Sequence, residues 1–253
     1  VQHIISAVWR SVINIYIEAR KSWRKLSPAF LSMLLLISVL HFSYSAATSK
    51  KLTIDFALFH QKMAGKYGDT RTELSQQWER MLLGLTDLDD LEKLRRVNQF
   101  FQNNVRFKSD QALWGVSDYW ATPLETLGKG FGDCEDYAIA KYISLRFAGI
   151  DDTKLRLIYV RARMGGPHSS VFEPHMVLGY YADPMAEPLI LDNLVNTVAL
   201  ASERTDLSPV FSFNSEGLWA GHLSANQAAS SPTARLSRWR DVLERMQQDG
   251  IGF

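Results

Sequence analysis

The residues able to do chemistry gather around the chain's single cysteine, in Gly130-Phe131-Gly132-Asp133-Cys134-Glu135-Asp136-Tyr137. A thiol attacks a carbonyl as the thiolate, and a helix N-terminus favours a negative sulfur. From Tyr137 to Phe147 the apolar residues Tyr137, Ile139, Ala140, Ile143, Leu145 and Phe147 outline a largely buried helix, leaving Lys141, Ser144 and Arg146 for a polar side. Gly128, Gly130 and Gly132 mark an irregular approach to it. Cys134 therefore falls in or just before the first turn, where unpaired N–H groups collect. Asp133, Glu135 and Asp136 oppose a thiolate by repulsion, which requires them to point elsewhere or to bind a cation as hard oxygen ligands. The plain alternative is a buried, inert cysteine acting as a small apolar residue. On this stretch alone the two readings balance.

Two later stretches tip the balance. Pro174-His175-Met176-Val177-Leu178-Gly179-Tyr180-Tyr181 reads as a buried strand opening on a histidine, and Pro188-Leu189-Ile190-Leu191-Asp192-Asn193 as a short strand ending in an acid. The connection between them suits adjacent antiparallel strands, which would bring His175 and Asp192 within reach of each other. His168 is the rival base, but it lies in a Gly-Pro-Ser loop, whereas a positioned base needs a rigid element. Asp183 belongs to an Asp-Pro turn and Asn193 faces away from Asp192. That leaves Asp192 to orient the imidazole. The implied reaction is acyl transfer through Cys134. With water as acceptor this is proteolysis; with a lysine amine it is cross-linking, and the three residues alone do not separate the two.

Asp118-x-Trp120-x-Thr122-Pro123-x-Glu125-x-Leu127, the Cys134 segment, Pro174-His175-Met176-Val177-Leu178 and Leu191-Asp192-Asn193 together resemble the bacterial transglutaminase-like cysteine proteinases. The resemblance spans Leu52 to Ala220 and is most specific around the cysteine. It implies an α+β, papain/transglutaminase-like fold, with N-terminal helices and a nucleophile helix packed on an antiparallel sheet. It also implies Cys134 as nucleophile, His175 as general base and acid, and Asp192 as orienter. Trp120 becomes a candidate for the substrate groove or the oxyanion site. The family's proteases require calcium, which the resemblance assigns to Asp133, Glu135 and Asp136. They cut large cell-surface adhesins near their N-termini and release cells from biofilm, and an inner-membrane cyclic di-GMP receptor of the LapD type sequesters them. The nucleotide itself is not expected to bind this chain. The alternatives are a transglutaminase-like acyltransferase or cell-wall amidase, or a non-enzymatic periplasmic adaptor.

The elements that must position these residues follow from the rest of the chain. Charge is nearly balanced, 28 Lys and Arg against 27 Asp and Glu, which argues for neither nucleic acid nor a basic membrane patch. A single cysteine excludes an intrachain disulfide. Residues 1–49 read as an N-terminal extension and signal sequence: Lys21, Arg24 and Lys25, an apolar run from Phe30 to Phe42, then Ser45 and Ala47 for cleavage after Ala47. Export to the periplasm follows, with an uncleaved anchor as the alternative, and residues 50–253 form the catalytic domain. Helical spacing appears from Phe56 to Met63, from Thr70 to Leu83, and from about Leu88 to Asn103 behind a cap at Thr86 or Asp87. Val105–Phe107 is extended, and Ser109–Thr122 is a loop in which Trp114 packs. Leu155–Arg163 alternates as a strand, Met164–Glu173 is a hairpin loop, and Pro209–Phe213 and Leu218–Ala220 add strands. Ala225–Pro232 is a linker, and Ala234–Gln248 is a helix facing the domain through Leu236, Trp239, Val242, Leu243 and Met246.

Overall fold

Aspartates set the starts of the N-terminal helices, as short acceptors for N–H groups that have no partner within the helix. In the computed structural model, which describes residues 51–215, 217–220 and 237–253, the Asp55 side chain accepts from Leu58 N–H at 3.0 Å and opens α1 (Phe56–Tyr67). Gly68, at φ 82°, turns the chain into α2 (Asp69–Leu83). Asp89 accepts from Glu92 N–H at 2.9 Å and opens α3 (Asp90–Asn104). The expected cap at Thr86 or Asp87 is corrected here. Turns closed by Leu85 and Leu88 N–H groups hold the chain back until Asp89.

The next elements are short. β1 (Thr53–Ile54) precedes α1, β2 (Arg106–Phe107) follows α3, and α4 (Asp110–Leu113) occupies part of the expected loop. α5 (Pro123–Lys129) starts from a capping box in which Thr122 and Glu125 satisfy each other's backbone N–H groups. β3 (Phe131–Gly132) then leads into α6 (Cys134–Phe147). α6 is the central helix, buried continuously from Asp136 to Leu145. The expected polar side does not exist: Lys141 and Ser144 are fully buried, because helices enclose one flank of α6 and the sheet the other. Their polar atoms are paired instead, Ser144 accepting from Trp78 Nε1 at 2.9 Å.

The sheet has six strands in the order β7-β6-β5-β4-β8-β9, each neighbouring pair antiparallel. These are β4 (Leu155–Arg163), β5 (Phe172–Tyr180), β6 (Leu189–Leu191), β7 (Ala199–Leu200), β8 (Leu207–Phe213) and β9 (Leu218–Ala220). Alternation divides their side chains between two faces. Leu155, Leu157, Met176, Leu178 and Leu191 join the main core with α6. Ile158, Val160, Val177 and Ile190 form a second, smaller cluster. Finally α7 (Ser237–Gln248) leads to β10 (Ile251–Gly252), which pairs with β1 and ties the end of the catalytic region to its start. These residues lie in one compact unit, Ser49–Phe253. The expected signal segment and the 225–232 linker fall outside the described residues. Among the described residues no helix is long and apolar enough to cross a membrane.

α7 is held by Trp239, which is fully buried among Trp120, Tyr142 and Phe213 with ring centroids 5.7–6.5 Å apart. Its Nε1 makes no hydrogen bond among the described residues. Trp239→Ala should therefore lower unfolding free energy by about 3–5 kcal/mol, and Trp239→Phe by much less, because only the smaller volume change is felt. Urea denaturation of both variants checks the pair.

Candidate active site

The approach to Cys134 is fixed by β2 and β3, which run parallel with Phe107 opposite Gly132. Gly130 ends α5 in the left-handed conformation at φ 66°. Gly132 has no room for a side chain, since a Cβ there would lie 2.7 Å from Asp136 Cβ. These constraints place Cys134, half-buried, as the first residue of α6. The free N–H groups of the first helical turn thus lie beside the sulfur. From the sheet, the Met176 backbone N–H favours a negative sulfur, and α6 packs on β5, the strand that carries His175. On the other side the thiol donates to Glu135 Oε2 at 2.6 Å. Burial, followed by the Glu135 and Asp133 carboxylates, pushes the thiol pKa far up, against the pull of Met176 N–H.

His175 and Asp192 meet across neighbouring strands, with His175 Nε2 2.8 Å from Asp192 Oδ1. Both are buried. Asp192 is held at every oxygen. Its Oδ1 also accepts from Leu194 N–H at 3.1 Å, and its Oδ2 accepts from Arg204 Nη2 at 2.7 Å. Its backbone carbonyl accepts from Gln102 Nε2 at 2.6 Å and from Lys141 Nζ at 3.1 Å. Burial alone would raise the carboxyl pKa, but the His175 hydrogen bond and charge, with Leu194 and Arg204, hold it down at about 2. An ionised carboxylate only accepts, so His175 Nε2 carries a proton and Nδ1 is the nitrogen not engaged by Asp192. Of the rivals, His168 is exposed in its loop, and Asp183 caps the turn at Met185 N–H.

The carboxylates around the sulfur behave in the opposite way. Ligand atoms of Asp110, Asp133 and Asp136 lie within 4.8 Å of one another, and those of Asp133, Cys134 and Glu135 form a second such group. Asp136 Oδ1 accepts from Ala121 N–H at 2.7 Å, and Asp110 Oδ2 from Tyr119 N–H at 2.5 Å. Asp110 Oδ1 and Asp133 Oδ1 are buried with no hydrogen-bond partner among the described residues. Burial, then repulsion from Glu135, Asp136 and Asp110, pushes Asp133 up to about 9. Burial likewise pushes Asp136 up to about 8 and raises Asp110. Orphaned buried carboxylate oxygens that resist ionisation fit a hard divalent cation.

The sequence therefore indicated residues that the fold brings together, with some changes of place. Asp133 and Asp136 share the carboxylate cluster, whereas Glu135 stands against the sulfur. Trp120 is buried in the core, stacked on Phe213 at 5.8 Å with an interplanar angle of 14°. Asp110 was missed because it lies in a segment read as loop; only its distance in space from Asp133 marks it, through the β2–β3 pairing. Lys141 carried a faint signal, two turns after Cys134 on the same helix. It is fully buried, its ammonium lies 5.4 Å from the Tyr137 ring centroid, and burial lowers its pKa to about 7 against the pull of Asp192. Gln102 and Arg204 had no local signal at all.

Comparison with known proteins agrees with this geometry. The family model described as "Bacterial transglutaminase-like cysteine proteinase BTLCP" matches residues 66–208. Among solved structures, LapG of Legionella pneumophila is similar at 33% identity over 76% of this chain and 98% of that one, with a TM-score of 0.63. Its EGTA-treated form is similar at 32% identity over 76% and 98%, with a TM-score of 0.65. Its calcium-bound form is similar at 36% identity over 74% and 97%, with a TM-score of 0.61. No curated protein matches. With the family matched over more than half of its length and the fold shared, the chain belongs to the bacterial transglutaminase-like cysteine proteinases, and it is a cysteine protease.

Proposed function

We propose that this protein is a calcium-dependent periplasmic endopeptidase that cuts a large surface adhesin near its N-terminus and so releases cells from biofilm. The observation that carries the catalytic part is the pairing of His175 Nε2 with Asp192 at 2.8 Å, with His175 on the strand against which the Cys134 helix packs. The family supports the adhesin and an inhibitory inner-membrane cyclic di-GMP receptor of the LapD type. The basic, apolar and small-residue order of residues 21–47 supports export. Calcium is supported by the orphaned carboxylates and by the similarity to calcium-bound LapG.

In the reaction, His175 Nδ1 takes the thiol proton as the sulfur attacks the scissile carbonyl. Backbone N–H groups at the start of α6 hold the oxyanion, and the Asp192 carboxylate stabilises the imidazolium. His175 then protonates the leaving amine, and water releases the acyl group from Cys134. Asp110, Asp133 and Asp136 would hold the calcium ion. Once bound, it supplies the positive charge that lets them stay ionised at neutral pH and offsets their repulsion of a negative sulfur.

Incubating the purified protein with an N-terminal adhesin fragment tests this reading. Cleavage should require calcium, stop in EGTA, and be absent in Cys134→Ala; cleavage indifferent to EGTA would remove the ion from the reaction. Asp110→Asn should weaken calcium binding in a calorimetric titration while leaving the apo fold intact. Asp192→Asn should lower kcat by about ten-thousand-fold through the wrong His175 tautomer. Because the folded pKa of Asp192 lies below its ordinary value near 3.8, its contribution to stability is complete above that value and is lost as pH falls toward about 2. Acid unfolding of wild type should therefore be steeper than that of Asp192→Asn between those two values.

A further inference from the structure

The second apolar cluster, Ile158, Val160, Val177 and Ile190, walls a cavity of about 420 Å³. That size lies within the range of small-molecule sites, roughly 300–1,000 Å³. Two arginines also line it, Arg156 and Arg204, and their charges are differently balanced. Arg204 is already paired with Asp192 and Asp206 at 2.7 and 2.8 Å. It offers no unmatched positive charge. Arg156 has no ion pair among the described residues, although it is only 5% exposed, and the Tyr181 hydroxyl is a polar neighbour of its guanidinium. Its guanidinium lies between the rings of Tyr181 and Trp219, 4.5 and 4.3 Å from their centroids, and its Nε is buried without a hydrogen-bond partner among the described residues.

A buried guanidinium with no carboxylate partner among the described residues is costly, and a carboxylate is the group whose geometry matches its planar donors. The remaining walls are mostly apolar, with Tyr181 and Ser212 among them. We propose that this cavity is a binding site for a small aliphatic carboxylate, with its acid group on Arg156 and its chain against Ile158, Val160, Val177 and Ile190. The site differs from the catalytic one in ligand and in residues, so binding does not depend on the endopeptidase reading. It shares one wall with the catalytic centre, since Arg204 lines the cavity and also holds Asp192.

Isothermal titration of the purified protein with octanoate, octanol and N-acetyl-leucine tests the assignment. Saturable octanoate binding at least tenfold tighter than octanol is expected. Arg156→Met, which keeps the stacked stem but removes the charge, should abolish that preference. Equal binding of octanoate and octanol by the wild-type protein, or no saturable octanoate binding, would overturn the proposal without reliance on any variant. Undiminished octanoate binding by folded Arg156→Met would place the ligand elsewhere and overturn it too. Tighter binding of N-acetyl-leucine than of octanoate would assign the site to peptide C-termini and overturn the aliphatic reading.

Discussion

Every polar group on a helix buried from all sides must find its partner inside the protein. In α6 this constraint builds the active site. Lys141 cannot reach solvent, so its ammonium donates to the Asp192 carbonyl and anchors the loop that presents the orienting carboxylate. Asp136 accepts Ala121 N–H and draws the segment before α5 against the start of the helix. The Cys134 sulfur lies at the same helix start, where the Met176 N–H of the sheet favours its negative form. The contacts that satisfy α6 are thus also contacts that hold Asp192 and the start of α6 in place.

The two flanks of the sulfur carry opposite electrostatics. On the His175 side, Asp192 is surrounded by donors, and its charge is secured by Arg204, Leu194 N–H and the imidazole. On the other side, Asp110, Asp133 and Asp136 crowd together with two orphaned oxygens and too few donors. The first arrangement supports an imidazolium during acyl transfer. The second can hold full negative charge only when a cation shares it. A shift of Asp133 to about 9 expresses that need as a resistance to ionisation.

Much of the scaffold was legible because its signals are periodic and local. Strand β4 coincides with the alternating run from Leu155 to Arg163, and α6 with the apolar spacing after Cys134. The boundary of α3 was missed because several aspartates compete to cap it and only the preceding turns select Asp89. Trp120 was given a place by the groove on sequence position, but its stacking on Phe213 depends on where β8 lies. A short helix such as α4 leaves no periodic trace. Its Asp110 therefore stayed hidden in an aromatic loop.

The sequence by itself singled out the candidate reacting residues: one cysteine behind glycines at a helix start, one histidine at a strand start, one aspartate at a strand end. Their types and order point to acyl transfer. Tertiary structure alone decided what surrounds them. Asp110 reaches Asp133 through a parallel pairing of short strands, and Arg204 and Gln102 reach Asp192 from distant elements. The cavity beside Arg156 likewise exists only once β4, β5 and β6 are in register. Periodicity records how an element meets the core. It carries no record of which distant side chain will supply the charge or hydrogen bond that the site requires.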